Sequence, residues 1–204
     1  PPVAVTDFPS VLSAPVQTQN ATPEVSGVLR LRIAAPAFSA ITSPRAAAID
    51  PAAGVAYVAS STDNDLKRID LTSLSNPLTA VSGLPAAPGL LAANPVAGTV
   101  VVAEAGGNRL FVLDPSASTP LVRTVTLSQA ITALAVNQQT NAAVAAHAAN
   151  SSLSIVDLNT GIVNTVGLPG RPVPGGLAVD AVRNTAWVAV GNTNAVVPVG
   201  LSSG

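Results

Sequence analysis

Short apolar runs separated by turn residues dominate this chain. Residues 131–136 are apolar with small residues among them, and they end at Asn137. A link at 138–141 leads to a second run at 142–146. A turn at 148–151 precedes a third run at 153–156, closed by Asp157. Asn159, Thr160 and Gly161 turn the chain again before a fourth run at 162–166. Four short runs with turn signals between them predict a four-stranded antiparallel meander. Helix fails as the alternative for the alanine-rich pieces. Gly, Pro or Asn interrupts about every ten residues, which leaves no room for a helix of useful length.

The same pattern is written four times. Asp50, Asn94, Asn137 and Asp180 stand in register at spacings of 44, 43 and 43. Four residues after each anchor comes Gly54, Gly98, Asn141 or Asn184. Seven after comes Tyr57, Val101, Val144 or Trp187. Fourteen after comes Asn64, Asn108, Ser151 or Asn194. Twenty after comes Asp70, Asp114, Asp157 and, against the pattern, Gly200. A period of this length marks a repeat architecture, in which each unit needs its neighbours to bury its faces. The recurring polar residues suit turns. An Asp or Asn at a strand end accepts hydrogen bonds from backbone N–H groups just ahead of it. Pro51 and Pro95 preset φ for the first turn corner. Gly or Asn at the fourth place suits a left-handed backbone. A metal-binding or catalytic role for these Asp residues is the weaker reading, because they recur at every strand end rather than in one place.

Radial packing of four-stranded sheets is the β-propeller. Residues 44–59, PRAAAIDPAAGVAYVA, resemble the YVTN-type propeller repeat. So does the stretch 174–180, PGGLAVD, running on to 186–189, AWVA. Asn64 with Ile69-Asp70, and Asn150 with Ile155-Val156-Asp157, are similar to that repeat's third strand; the NHL repeat is a near second. The resemblance covers roughly residues 44–201. Val101 and Val144 replace the aromatic, and Ile131 replaces the opening proline of the third unit. The expected fold is all-β: a propeller of four blades, with units at about 44–87, 88–130, 131–173 and 174–201. The alanine-rich first strands suit the crowded axis of a closed four-bladed ring. The resemblance also implies a different possibility, since such propellers more often have seven blades: a fragment, or a chain that assembles with copies of itself.

The ends of the pattern are broken. The fourth unit stops after its third run, 195–199. Near the other end lies an alternating strand, 28–33, with Val28, Leu29, Leu31 and Ile33 as its apolar members and Arg30 and Arg32 facing away. It is expected to supply the missing outer strand of the last blade, so that the propeller domain spans 27–204. Residues 1–26 carry five prolines and read as a leader, a linker, or an arm that adds a strand to a neighbouring subunit. Exchange of strand 28–33 between copies is a related route to polymers.

Composition narrows the function classes. Apolar residues make up 48% of the chain and charged residues only 9%. The net charge of −1 and the single lysine leave no footprint for nucleic acid. No apolar run is long enough to span a membrane. Cysteine is absent, which excludes disulfides and thiol chemistry. The chain begins Pro1-Pro2, as expected after processing or truncation, with a cleaved secretion signal as one explanation. An extracellular, cell-surface or periplasmic location is the expectation.

Candidate chemistry is sparse. His147, the single histidine, is expected in a turn or at the surface. One His without Cys gives neither a zinc set nor a triad, so no metal, cofactor or catalytic residue is assigned. Asp63-Asn64-Asp65 is read as a turn, residues 104–108 as a hairpin loop, and Tyr57 and Trp187 as aromatics packed between blades. Glu104, Arg109 and Arg123 are the candidates for a partner-binding face. Three readings of function stand in order. The first is a non-catalytic secreted or cell-surface scaffold that self-assembles or binds another surface protein. The second is a propeller that recognises a protein, peptide or glycan. The third, from the resemblance, is a lyase-like enzyme, which one histidine hardly supports.

Overall fold

The computed structural model describes residues 41–72, 78–168 and 174–201. Fifteen strands and no helix lie among them. Blade 1 comprises β1 (Pro44–Asp50), β2 (Val55–Ser60), β3 (Asp65–Asp70) and β4 (Leu78–Gly83). Blade 2 comprises β5 (Pro88–Asn94), β6 (Thr99–Glu104), β7 (Arg109–Leu113) and β8 (Leu121–Thr126). Blade 3 comprises β9 (Ala133–Asn137), β10 (Ala142–His147), β11 (Ser152–Asp157) and β12 (Val163–Gly167). Blade 4 comprises β13 (Pro174–Asp180), β14 (Thr185–Val190) and β15 (Ala195–Gly200). Every sheet is an antiparallel meander in chain order, three of them four-stranded and the last three-stranded among the described residues.

Turn chemistry sets these boundaries. The anchor side chains cap the turns that follow them. Asp50 Oδ1 accepts from the Ala53 N–H at 3.0 Å, and Asn137 Oδ1 from Gln139 at 3.0 Å. Asp180 Oδ1 accepts from Val182 and Arg183 at 3.1 Å each. The fourth place is left-handed in all four units, with φ of 65° at Gly54, 64° at Gly98, 51° at Asn141 and 50° at Asn184. The three inner strands that open on proline each carry a bulge just after it; β9, preceded by Ile131, carries none.

The blades pack in sequence. β5 lies between β1 and β9, and β13 follows β9. Three apolar clusters fill the seams. Tyr57 and Leu66 of blade 1 meet Val100, Val102 and Phe111 of blade 2. Val101 and Leu110 of blade 2 meet Ala143, Ala145 and Val156 of blade 3. Val144 and Leu153 of blade 3 meet Ala186, Val188 and Leu201 of blade 4. No such cluster joins blade 4 to blade 1 among the described residues.

Two expectations change. Trp187 does not pack between blades: it is exposed, because its face of blade 4 points away from blade 3. His147 is neither a surface nor a turn residue. It ends β10 and is fully buried. The arm at 1–26 and the strand at 28–33 lie outside the described residues, and so does its pairing with β15.

Candidate functional site

Strand direction places Ser60, Glu104 and His147 at one end of the blades, where the inner strands begin and the second strands end. A shallow depression there has a volume of about 390 Å³ and is lined by Arg45, Gly89, Leu90, Glu104, Gly106 and Ile131, among others. Its walls come from blade 1, from the β6–β7 turn, and from the residues just before β9.

Ser60, Glu104, His147 and Val190 occupy the same place in the four units, ten residues after the anchor. Each polar member is held by its surroundings. The Ser60 hydroxyl donates to the Thr42 carbonyl. His147 Nδ1 lies 3.0 Å from the Ala130 carbonyl, and Nε2 lies 2.8 Å from Ser154 Oγ. A carbonyl only accepts, so Nδ1 donates to Ala130. His147 is a structural tie from β10 to the segment before β9. Glu104 is clamped by Arg109, with Nε at 2.9 Å from Oε2 and Nη2 at 2.6 Å from Oε1. These bonds hold the Glu104 carboxyl below its ordinary range and raise Arg109 in turn. The guanidinium also sits 5.5 Å from the centre of the Phe111 ring.

Of the three candidate partner-face residues, Glu104 lines the depression and is paired with Arg109. Arg123 stands elsewhere. It projects from β8 to the β11–β12 turn, where Nη1 and Nη2 donate to the Thr160 and Asn159 carbonyls at 2.8 and 2.7 Å. It therefore ties blade 2 to blade 3. The remaining candidates, Val28, Leu29, Leu31 and Ile33, lie outside the described residues. Asp63-Asn64-Asp65 is a turn: Asn64 has φ 51°, Asp63 Oδ2 lies 3.0 Å from the Ser60 hydroxyl oxygen, and Asp65 pairs with Lys67 at 2.6 Å. Among the described residues, no three His, Cys, Asp or Glu side chains come together as a metal site would need.

The sequence pattern hid one polar feature. Asn94 Nδ2 donates to Asn141 Oδ1 at 2.8 Å, and Asn137 Nδ2 donates to Asn184 Oδ1 at 2.7 Å. Each anchor asparagine thus caps its own turn with its oxygen and reaches the next blade with its nitrogen. The separation of 47 in both pairs was the available signal.

No protein-family model and no curated protein matches the chain. Solved structures do. The chain resembles Kuenenia stuttgartiensis hydrazine synthase with a TM-score of 0.63 at 10% identity, over 79% of this chain and 46% of that one. The nidogen/laminin complex gives 0.61 at 12% identity, over 73% and 57%. Apo AztD from Citrobacter koseri gives 0.61 at 15% identity, over 78% and 44%. With the sheets described above, these likenesses show a β-propeller fold. The chain spans about half the length of the structures it matches.

Proposed function

We propose that this chain is a non-catalytic β-propeller module that serves as a self-associating scaffold outside the cell or at its surface. The observation that carries the reading is the apolar face of blade 4 left open around Trp187 and Val196. Large exposed apolar faces on a folded protein mark interaction sites. The outer edge of β15, which has no ladder partner among the described residues, is a second contact point of the kind to which an added strand pairs. The polar side chains argue in the same direction. Ser60, Glu104, Arg109, Arg123 and His147 are all engaged in hydrogen bonds that hold turns and blades, which leaves little for catalysis. The absence of Cys and the low charge are compatible with an exported module.

A second reading rests on the depression at the strand-start end, where Arg45 and Glu104 line a surface for a protein, peptide or glycan. Electron microscopy of the purified protein separates the two. Closed rings of several copies, filaments or sheets support the scaffold. Particles that stay monomeric at every concentration favour the binding module.

A further inference from the structure

The two ends of the blade run are matching halves of one seam. Position seven after the anchor always faces the next blade. Tyr57 there is 6% exposed, Val101 and Val144 are 0%, and Trp187 is 44%. Position sixteen repeats the contrast: Leu66, Leu110 and Leu153 are 0% exposed, and Val196 is 61%. The opposite face tells the same story at the other end. Leu158 and Leu201, which pack toward the preceding blade, are 4% and 6% exposed, but Leu71 in blade 1 is 50%. Ile49 beside it is 60% exposed, while its counterparts Val136 and Val179 pack into seams. Blade 4 therefore presents the surface that meets a following blade. Blade 1 presents the surface that meets a preceding one.

The anchor residues say which blade should follow. Where the anchor is Asn, the next blade carries Asn at its fourth place, and the two hydrogen-bond, as in Asn94–Asn141 and Asn137–Asn184. At the first seam the pair is Asp50 and Gly98: a carboxylate with no hydrogen to donate, and a residue with no side chain to accept. The last anchor, Asp180, belongs to this second kind and calls for a blade with Gly at its fourth place. Blade 1 has Gly54 there, with φ of 65°.

We infer that blade 4 of one copy packs on blade 1 of a second copy, head to tail. Trp187 and Val196 would then cover Ala56, Val58, Ile49 and Leu71 of the partner copy's equivalent face. The inference rests on the self-association reading and specifies its contact. Among the described residues both end faces are open, so the four described blades do not cover each other's ends. Two copies supply eight blades, within the range that propellers use. A heterologous contact of this kind closes into a ring, or continues as a filament, according to its rotation.

Trp187 is the single tryptophan, so its emission reports the contact directly. With the full chain, the emission should shift to the blue as concentration rises, in step with mass in sedimentation equilibrium. The chain has no cysteine, so Val58→Cys and Trp187→Cys place unique thiols on the two faces. Mixed and treated with a short bis-maleimide, the two single variants should give a linked dimer that pairs one of each. Val196→Asp, at an exposed position, should weaken association at least tenfold and leave the fold intact by circular dichroism. A cross-link formed within monomers of the double-cysteine variant overturns the inference, because it means that one chain closes on itself. Assemblies that form without the mixed cross-link also overturn it, while leaving the scaffold reading standing on the β15 edge. A chain that stays monomeric overturns both.

Discussion

An asparagine and an aspartate do the same work inside a turn and different work between blades. Both offer an oxygen to the backbone N–H groups ahead of them. Only asparagine has a hydrogen left for the neighbour. Asn137→Asp should therefore keep the turn, lose the 2.7 Å bond to Asn184, and leave the Asn184 oxygen facing a carboxylate. The expected cost is about 1–2 kcal/mol in urea denaturation. Adding Asn184→Gly recreates the Asp–Gly pairing of the first seam at a left-handed position that glycine adopts freely. The double variant should be more stable than Asn137→Asp alone; additive losses would show that the two residues are not coupled. The sequence made the turn role legible, because Asp, Asn and Gly recur at fixed offsets. The reach between blades was hidden, since nothing in one unit says which atom of the next will lie opposite. His147 was misread for a related reason. The alanine-rich run before it and the asparagine after it mark a strand end, and a strand end buried under the next segment looks no different in sequence from an exposed one.

At the scale of the element, carboxylates at turns make the strand junctions sensitive to acid. The Ser116 hydroxyl lowers Asp114, the N–H groups of Thr160 and Asn159 lower Asp157, and the Arg183 guanidinium lowers Asp180. Glu104, bonded to Arg109 across the β6–β7 hairpin, is lowered too. A carboxyl that is more acidic in the folded chain takes up its proton first in the unfolded one. The stability it contributes is whole above the unfolded values of 3.8 for Asp and 4.5 for Glu, and is lost as pH falls through the lower folded values. The urea midpoint should thus hold steady from pH 7 to 5 and drop by pH 3. Asp157→Asn, which keeps the accepting oxygen without a titrating group, should shallow that drop; a midpoint unchanged between pH 5 and 3 would count against this account of the turns. The strands themselves were legible almost to the residue in blade 3, because period, run length and turn residues all agreed. The bulges after Pro44, Pro88 and Pro174 were not, although proline at a strand start is where a bulge is commonly tolerated.

For the whole molecule, the repeat count was legible and the state of its ends was not. A repeat tells every blade to bury both faces, and only the packed structure shows which blades lack a neighbour to do it with. Tyr57 and Trp187 make the difference measurable, because they hold one register position in two environments. Tyr57 fills the seam between blades 1 and 2, and that burial also pushes its phenol pKa up. Tyr57→Ala removes a ring from a closed interface and should cost about 3 kcal/mol or more. Trp187→Ala removes a larger ring from an open face. At concentrations where the chain is a single copy, it should cost no more than about 1 kcal/mol. The gap should narrow as concentration rises, because association adds to the stability of the wild-type chain by mass action and the Trp187 variant forfeits that addition. Melting temperatures of wild type, Tyr57→Ala and Trp187→Ala across a hundredfold concentration range would show this. A wild-type melting temperature that climbs with concentration while that of Trp187→Ala stays flat places the tryptophan at a contact between copies. If both stay flat and Trp187→Ala is as damaging as Tyr57→Ala, the tryptophan is a core residue after all, and blade 4 is already covered by its own chain.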